Sequence, residues 1–294
     1  MDIRVLQYFL AVAREESITK AAETLHMTQP PLSRQLKDLE NEIGKQLLIR
    51  GSRKVTLTED GMLLRKRAEE MIDLMEKTKA ELSSSDEQIS GDIYMGSGET
   101  EAVSTIAKVA KDLQKEPPFI RYHIYSGDAE HIIERLDKGL IDFGLLVEPV
   151  DIAKYDYIKL PVKDTWGVLM RKDSPLAAKE NICAEDLWDK PLIMSQQTVN
   201  SDEMGSWFHR DVAKLNIVAT YNLVYNASRF VKMGVGYAIT LDKLINTSGD
   251  SSLCFRPLYP VSEAGLCIVW KKYQVFSRAA EQFLKQIQNE FSVQ

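Results

Sequence analysis

The stretch Thr28–Asn41, TQPPLSRQLKDLEN, has the pattern of a short amphipathic helix with a proline-containing first turn. Thr28 is a suitable N-cap. Pro30 and Pro31 fall in the first turn, where backbone N–H groups have no acceptor within the helix and can be missing at no cost. Apolar residues recur at helical spacing along one face: Leu32, Leu36, Leu39 and Ile43. The pattern therefore predicts a helix with one buried face and one polar face.

The polar face of this predicted helix carries groups that suit nucleic acid. It contains Pro30, Ser33, Arg34, Lys37 and Asn41. Hydroxyl, guanidinium, ammonium and amide groups contact phosphate oxygens and base edges in the major groove of DNA. The alternative is an ordinary solvated helix face, so the flanking sequence has to decide between them.

Two shorter helices are predicted upstream. Residues 3–13 place apolar side chains on one helical face, and Ser17 is positioned to cap a second helix that buries the alanine pair at 21–22. A tight turn at 26–27 then leads into the helix that starts at Thr28. Two short helices joined by such a turn, the second with a polar outer face, are typical of a helix-turn-helix.

A basic β-hairpin is predicted downstream. The extended runs Leu47–Arg50 and Lys54–Leu57 flank the pair Gly51 and Ser52. Three basic residues of this hairpin are placed to contact backbone phosphates: Arg50, Arg53 and Lys54. Helices and hairpin together predict a winged helix-turn-helix over residues 1–58.

Thr58 is predicted to cap a long helix with an a/d seam. Apolar or small residues alternate in steps of four and three: Leu57, Gly61, Leu64, Ala68, Met71, Met75, Thr78 and Leu82. A helix of ~25 residues spans ~37 Å, which is too long for so narrow a stripe to be buried in a small domain. We expect it to pair with a second copy of itself, the alternative being that it lies on the next domain. Ser83–Asp86 are predicted to form a polar hinge, so that 59–86 is a linker and dimerisation segment.

Strand and helix patterns alternate from Gly91 onward, which is typical of α/β architecture. Strands are predicted at Ile93–Met95, Ile120–Tyr125, Phe143–Val147, Thr165–Met170, Leu192–Met194, Ile217–Val224, Tyr237–Thr240 and Leu266–Trp270. Helices are predicted near 100–114, 129–138, 201–214 and 227–233, with a last helix that carries Phe283, Leu284, Ile287 and Phe291.

The body, residues 87–294, is predicted to have two lobes around a cleft. Crossings near 161–164 and 261–265 would connect lobe 1, residues 87–162 and 265–294, to lobe 2, residues 163–264. This is the layout of a hinged ligand-binding module.

Charge is distributed unevenly between head and body. The 294-residue chain has a formal net charge of −6, yet residues 1–58 hold nine Lys or Arg against seven Asp or Glu. A weakly basic head on an acidic body fits a protein in which only the head contacts DNA.

The sequence contains no apolar run of the ~18 residues that a membrane span requires, and Met1–Arg4 do not begin a signal peptide. We therefore expect a cytoplasmic protein without a membrane partner.

The sequence predicts no catalytic residue, metal or cofactor. Glu101 occupies the third glycine position of a possible GxGxxG after Gly96, and no GxSxG, Walker A or HExxH motif occurs. Three cysteines lack metal-ligand spacing, and two histidines of the body are isolated: Cys183, Cys254, Cys267, His123 and His131.

Four loops are predicted to end at helix N-termini that face the cleft: Ser97–Thr100, Ser126–Asp128, Ser195–Ser201 and Asn226–Ser228. Free N–H groups and hydroxyls at such ends favour anionic groups such as carboxylates. Glu99, Asp128 and Glu148 argue the opposite way, because they would repel an anion or attract an amine. The alternative for each loop is an ordinary capped helix. The candidate effector-binding residues are Ser97, Glu99, Thr100, Ser126, Asp128, Glu148, Ser195, Gln196, Asn226 and Ser228.

Along essentially its whole length the chain resembles LysR-type transcriptional regulators. The resemblance rests on the run SITKAAETLHMTQPPLSRQLKDLENEIGKQLLIRGSRKVTLTEDG, and on GDIYMGSGE, LDKGLIDFGLL, RKDSPLA and VKMGVGYAI in the body. It implies an α+β fold with an N-terminal winged helix-turn-helix, a long linker helix and a C-terminal two-lobed α/β effector domain like that of periplasmic binding proteins. It also implies a homodimer or homotetramer that binds double-stranded promoter DNA and responds to a small-molecule effector.

In this family the helix that matches 29–41 enters the major groove. The resemblance therefore implies DNA contacts by Gln29, Pro30, Ser33, Arg34 and Lys37, by Arg50 and Arg53 in the wing, and by Ser17 and Thr19 near the first helix of the motif. Two alternatives remain, a cleft enzyme or a solute-binding body with an accessory DNA-binding head. The first needs a clustered nucleophile, base or metal set, and the second an export signal.

Overall fold

A computed structural model describes residues 1–51, 54–83, 90–115, 119–199 and 202–291 of the chain. Contacts between residues divide the chain into two compact units, Met1–Ser83 and Ser84–Gln294. Within the described ranges, no helix is long and apolar enough to cross a membrane. The finer boundaries given above for the DNA-binding, linker and effector domains stay predictions.

The first unit is a winged helix-turn-helix followed by a long helix. Its described helices are α1 (Ile3–Glu15), α2 (Ile18–Thr24), α3 (Gln29–Ile43) and α4 (Glu59–Ser83), and its strands are β1 (Leu48–Arg50) and β2 (Val55–Leu57). The two strands pair antiparallel, so the predicted hairpin is confirmed.

The core of the first unit is built largely from the apolar faces of its short helices. The leucines of α3 predicted to be buried pack with apolar residues of α1 and with the alanine pair of α2: Leu32, Leu36, Leu39, Phe9, Val12, Ala21 and Ala22. Ile43 departs from the prediction, because it is 38% exposed in the last turn of α3. Gly44 ends the helix directly after it with a φ of 73°.

All three predicted N-cap residues precede their helices, and two of them make the capping hydrogen bond. Ser17 Oγ accepts a hydrogen bond from the backbone N of Lys20 at 3.3 Å, and Thr58 Oγ1 accepts one from Gly61 N at 3.0 Å. Thr28 is the N-cap residue of α3, as predicted, and has an extended conformation, but its side chain makes no capping hydrogen bond. A cap bonds to the second or third N–H of its helix, and both positions here are prolines without an N–H.

The seam predicted along α4 is divided by its packing. Leu57 and Leu64 pack against the core of the winged helix-turn-helix, and Gly61 lies against the backbone of Leu47. Because these three residues pack within their own chain, they are not part of an exposed face that could pair with a second copy, as the seam pattern had predicted. Leu82, at the far end, is 81% exposed. Of the predicted hinge, residues 84–86 lie outside the described residues.

The second unit is an α/β structure. Its described helices are α5 (Val103–Leu113), α6 (Ala129–Asp137), α7 (Gln196–Val199), α8 (Asp202–Phe208), α9 (Val224–Lys232) and α10 (Arg278–Phe291). Its strands are β3 (Ser90–Ser97), β4 (Phe119–Ser126), β5 (Phe143–Val147), β6 (Tyr155–Arg171), β7 (Leu192–Ser195), β8 (Ile217–Tyr221), β9 (Tyr237–Leu241), β10 (Leu253–Pro257) and β11 (Glu263–Lys271).

The long strand β6 connects the two lobes. Its first part pairs with β11 in a sheet of order β4-β3-β5-β11-β6, and its last part pairs with β9 and β10 in a sheet that continues through β7 to β8. Each sheet carries its own buried apolar clusters. The crossing predicted near 161–164 lies inside this strand.

Several predicted bounds in the second unit are wrong. The strand predicted to run to Val224 ends at Tyr221, and α9 begins at Val224. The helix predicted over 201–214 ends at Phe208, with a separate short 3-10 helix at Val212–Lys214. The first half of β6 was not predicted, because Pro161 interrupts its strand pattern.

Candidate functional site

The outer face of α3 presents the residues predicted to contact DNA. Gln29, Pro30, Arg34 and Lys37 are exposed, and Ser33 is half-buried. The Arg34 side chain is 84% exposed, and its Nε lies 4.0 Å from the nearer carboxylate oxygen of Asp38. An exposed ion pair at that distance contributes little to stability. The guanidinium is therefore free to turn toward another ligand.

The remaining predicted DNA contacts lie around this face with different degrees of freedom. Thr19 is exposed in the first turn of α2, whereas Ser17 is half-buried and caps that helix. Lys54, at the wing, has its Nζ 3.3 Å from the carboxylate of Glu16. Arg53 lies outside the described residues.

Glu40 is a structural residue of this surface that sequence reasoning missed. Its Oε1 accepts hydrogen bonds from the backbone N of Leu47 at 2.9 Å and of Leu48 at 3.0 Å. Its Oε2 lies 3.3 Å from the guanidinium of Arg50. Through these contacts α3 holds the start of the wing and one of its predicted phosphate contacts. No local pattern marks Glu40, because its partners lie beyond the end of its own helix.

The second unit contains a cavity of about 1110 Å³ between its two lobes. Both sheets supply lining residues, and apolar side chains such as Leu146, Val147 and Leu244 form much of the wall. The polar residues among the described lining include Trp166, Ser195, Gln196, Gln197, Thr198, Thr220, Tyr221, Asn222 and Thr240. The charged ones in that same described set are Glu99, Asp128, Glu130 and Glu148.

The cavity brings together half of the predicted effector residues. Glu99, Asp128, Glu148, Ser195 and Gln196 line it. Gln197, which was not singled out from the sequence, donates from Nε2 to the carbonyl of Val147 on the opposite lobe, at 3.4 Å.

The other five predicted effector residues lie away from the cavity lining. Ser97 is buried and donates to its neighbour's carbonyl, Thr100 is buried against Asp164, and Ser126 is exposed at the end of β4. Asn226 and Ser228 belong to α9 itself rather than to the loop before it, because the helix starts at Val224. The prediction of a cleft-facing loop at 226–228 is therefore wrong, and the loop is Asn222–Leu223.

The helix N-termini beside the cavity are already capped by protein oxygens. Asp128 Oδ1 accepts from His131 N at 3.0 Å at the start of α6, and Ser195 Oγ accepts from Thr198 N at 3.0 Å at the start of α7. Glu99 accepts a hydrogen bond from the backbone N of Val224, the first residue of α9. The free N–H groups predicted at these loops are therefore occupied at these three amides.

Glu99 crosses the cavity from one lobe to the other. It follows β3 in the first lobe, whereas Val224 belongs to the second. Burial raises the pKa of the Glu99 carboxyl above its ordinary value, and the hydrogen bond from Val224 offsets part of that rise. Glu148 has a different environment, with Lys159 Nζ at 3.0 Å from its carboxylate.

Among the described residues, the two histidines singled out from the sequence each have a carboxylate neighbour. His131 lies 2.6 Å from Asp128, and His123 lies 2.9 Å from Asp92 and stacks on Tyr94. The three cysteines are free thiols, and burial raises the pKa of Cys267 to about 11. In the part of the chain that the structure describes, no group of three or more His, Cys, Asp or Glu is arranged to hold a metal ion.

Two family models together match almost the whole chain. Residues 3–62 match the bacterial regulatory helix-turn-helix protein of the lysR family, and residues 86–292 match the LysR substrate binding domain. These two matches cover the two units described above.

Two named relatives are similar to this chain over much of their length. The Hca operon transcriptional activator HcaR of Escherichia coli K12 is 30% identical over 280 residues, which are 92% of this chain and 92% of HcaR. The transcriptional regulator AlsR of Bacillus subtilis 168 is 33% identical over 200 residues, 66% of this chain and 64% of AlsR.

A solved structure has the same fold. Full-length CbnR, in a complex with its target DNA, superposes with a TM-score of 0.77 at 16% identity, over 98% of this chain and 99% of CbnR.

Proposed function

Because this chain belongs to the LysR family of transcriptional regulators, we propose that it binds promoter DNA through α3 and responds to a small molecule bound between its lobes. The relatives are named as transcriptional regulators, which sets aside the alternative of a cleft enzyme. As a regulator of promoters it would act in the cytoplasm, as a homodimer or homotetramer.

The observation that carries the DNA-binding proposal is the division of α3 into two faces. Leu32, Leu36 and Leu39 are buried, whereas Arg34 and Lys37 project from the opposite side. A helix whose apolar face is packed in the core and whose polar face is exposed can enter the major groove while the rest of the domain stays folded. CbnR, which has the same fold, is seen in a complex with its target DNA.

Arg34 is the residue we assign to base recognition. A guanidinium can donate two hydrogen bonds to O6 and N7 of guanine, which is worth ~1–3 kcal/mol of discrimination. Gln29, Pro30 and Ser33 lie in the first turns of α3, the part of a recognition helix that contacts base edges. Arg50, Arg53, Ser17 and Thr19 are proposed to contact the sugar-phosphate backbone.

The effector site is proposed to be the cavity between the lobes. Its volume of about 1110 Å³ is enough for a small metabolite. Of the residues predicted from sequence, Glu99, Asp128, Glu148, Ser195 and Gln196 line it and are the proposed contacts. We assign residues 1–58 to DNA binding, 59–86 to linkage and dimerisation, and 87–294 to effector binding.

The direct test of the DNA-binding proposal is Arg34→Ala in the full chain, titrated against a duplex selected by the wild type. We expect the affinity to fall at least about tenfold, because a bidentate contact to guanine is lost. The matched control is Arg171→Ala, which removes a partly exposed guanidinium from the second unit. Unchanged affinity of the Arg34 variant would contradict the assignment of Arg34 to base recognition.

A further inference from the structure

The N-terminus of α9 holds a negative charge that the protein itself supplies. The N-cap residue, Leu223, has no side-chain acceptor, so the helix lacks a local cap. The carboxylate of Glu99 accepts from the amide of Val224 instead, although 125 positions separate the two residues in sequence. The positive end of a helix dipole stabilises a carboxylate placed there, so this contact ties the two lobes together across the cavity.

The rest of the cavity is also poor in places for an anion. The starts of α6 and α7 are occupied by Asp128 and Ser195. All the charged residues in the described lining are acidic, namely Glu99, Asp128, Glu130 and Glu148, and of these Glu148 is ion-paired with Lys159 at 3.0 Å. A carboxylate ligand that entered would meet like charges and would find the amide of Val224 already bonded.

We propose that Glu99 determines the charge specificity of the cavity: by occupying the N-terminus of α9 it excludes carboxylate ligands and favours an effector without negative charge that offers N–H or O–H donors. Such donors can bond to the carboxylate oxygens that line the wall. This inference deepens the proposed function and rests on the cavity being the effector site.

The test is chemical rescue in the full chain. Glu99→Ala removes a fragment equivalent to acetate and leaves the amide of Val224 unbonded. We expect acetate, titrated against chloride at constant ionic strength, to raise the melting temperature of this variant saturably, by roughly 2–4 °C. Acetamide, which has the same shape without the charge, should have little effect.

Three further proteins control the interpretation. The wild type should not respond to acetate, because Glu99 fills the position. Glu99→Gln should not respond either, since its amide oxygen still occupies the helix end. Glu130→Ala, which removes an exposed carboxylate from the lining of the same cavity, should behave like the wild type. If Glu99→Ala does not fold, Glu99→Ser leaves a similar vacancy with a polar side chain.

Two results would overturn the inference. One is an acetate response of the wild type or of Glu130→Ala that equals that of Glu99→Ala. The other is a folded Glu99→Ala, or its serine substitute, that acetate does not stabilise. Operator affinity is measured on the same preparations. Failed rescue in a variant that still binds DNA contradicts only the role of Glu99. A wild-type chain that does not bind DNA contradicts the proposed function.

Discussion

Arg34 and Lys37 lie on the same exposed face of α3, yet their chemistry differs. A guanidinium presents a planar set of donors that matches the edge of guanine, whereas an ammonium acts mainly as a point charge on phosphate. Removing the Arg34 side chain should therefore change which DNA sequences bind. Removing the Lys37 side chain should change how strongly all DNA sequences bind.

Lys37→Ala is expected to weaken binding to selected and unrelated duplexes by a similar factor. The loss of one phosphate contact should also reduce the slope of log affinity against log salt concentration by about one. Fluorescence anisotropy at several salt concentrations measures both quantities. Lys111→Ala removes an exposed ammonium from α5 in the second unit and serves as the control. A change of sequence preference with an unchanged salt slope would assign Lys37 to base contact instead.

Single residues also show where sequence reasoning reaches its limit. The buried face of α3 could be predicted because its leucines repeat within one helix. Thr28 is the N-cap of α3, but it makes no capping hydrogen bond for a reason already present in the sequence, since Pro30 and Pro31 have no N–H to donate. The bond from Val224 to Glu99 could not be predicted, because it joins groups that only the folded second unit brings together.

The junction between the wing and α4 depends on the absence of a side chain at Gly61. A Cβ on this residue would lie 2.1 Å from the carbonyl oxygen of Leu47. Because that neighbour is backbone, rotation of a side chain cannot relieve the clash, and either α4 or the wing has to move. The close approach is therefore part of how the long helix is attached to the head.

Gly61→Ala is expected to destabilise the first unit by about 1–3 kcal/mol, as overpacked sites do. Thermal unfolding of the full chain should show a lower first transition, and operator affinity should fall as the wing is displaced. Gly205→Ala is the matched control, since its added Cβ would meet Val212 at an ordinary 3.6 Å. Equal melting temperatures for both variants would contradict the packing described here.

Among the elements, those with a regular period were predicted most closely. The bounds of β5 match the prediction, because its run of apolar residues is compact and buried. The long helix α4 was predicted, but the division of its apolar seam could not be, since only the fold shows that Leu57 and Leu64 pack on the head. The long course of β6 through both lobes was hidden by a proline in the middle of it.

The whole molecule combines a DNA-binding head with a ligand-binding body in one chain. Two features of the sequence predicted this combination: the uneven charge, and the change from helical patterns in the head to alternating strands and helices in the body. The two family models match the corresponding parts. The loops around the cleft were only partly predicted. Their acidic residues were recognised as candidates, but the way Glu99 and Asp128 cap helices depends on where each helix begins.

The most direct measurement of the central claim is selection of random duplex DNA by the purified full chain, followed by sequencing. If α3 reads the major groove and two copies of the chain act together, the recovered pool should converge on two related half-sites, whose spacing places them on one side of the duplex. The same selection with Arg34→Ala should lose its preference at one position in each half-site. A folded wild-type chain whose recovered pool stays random would contradict the account.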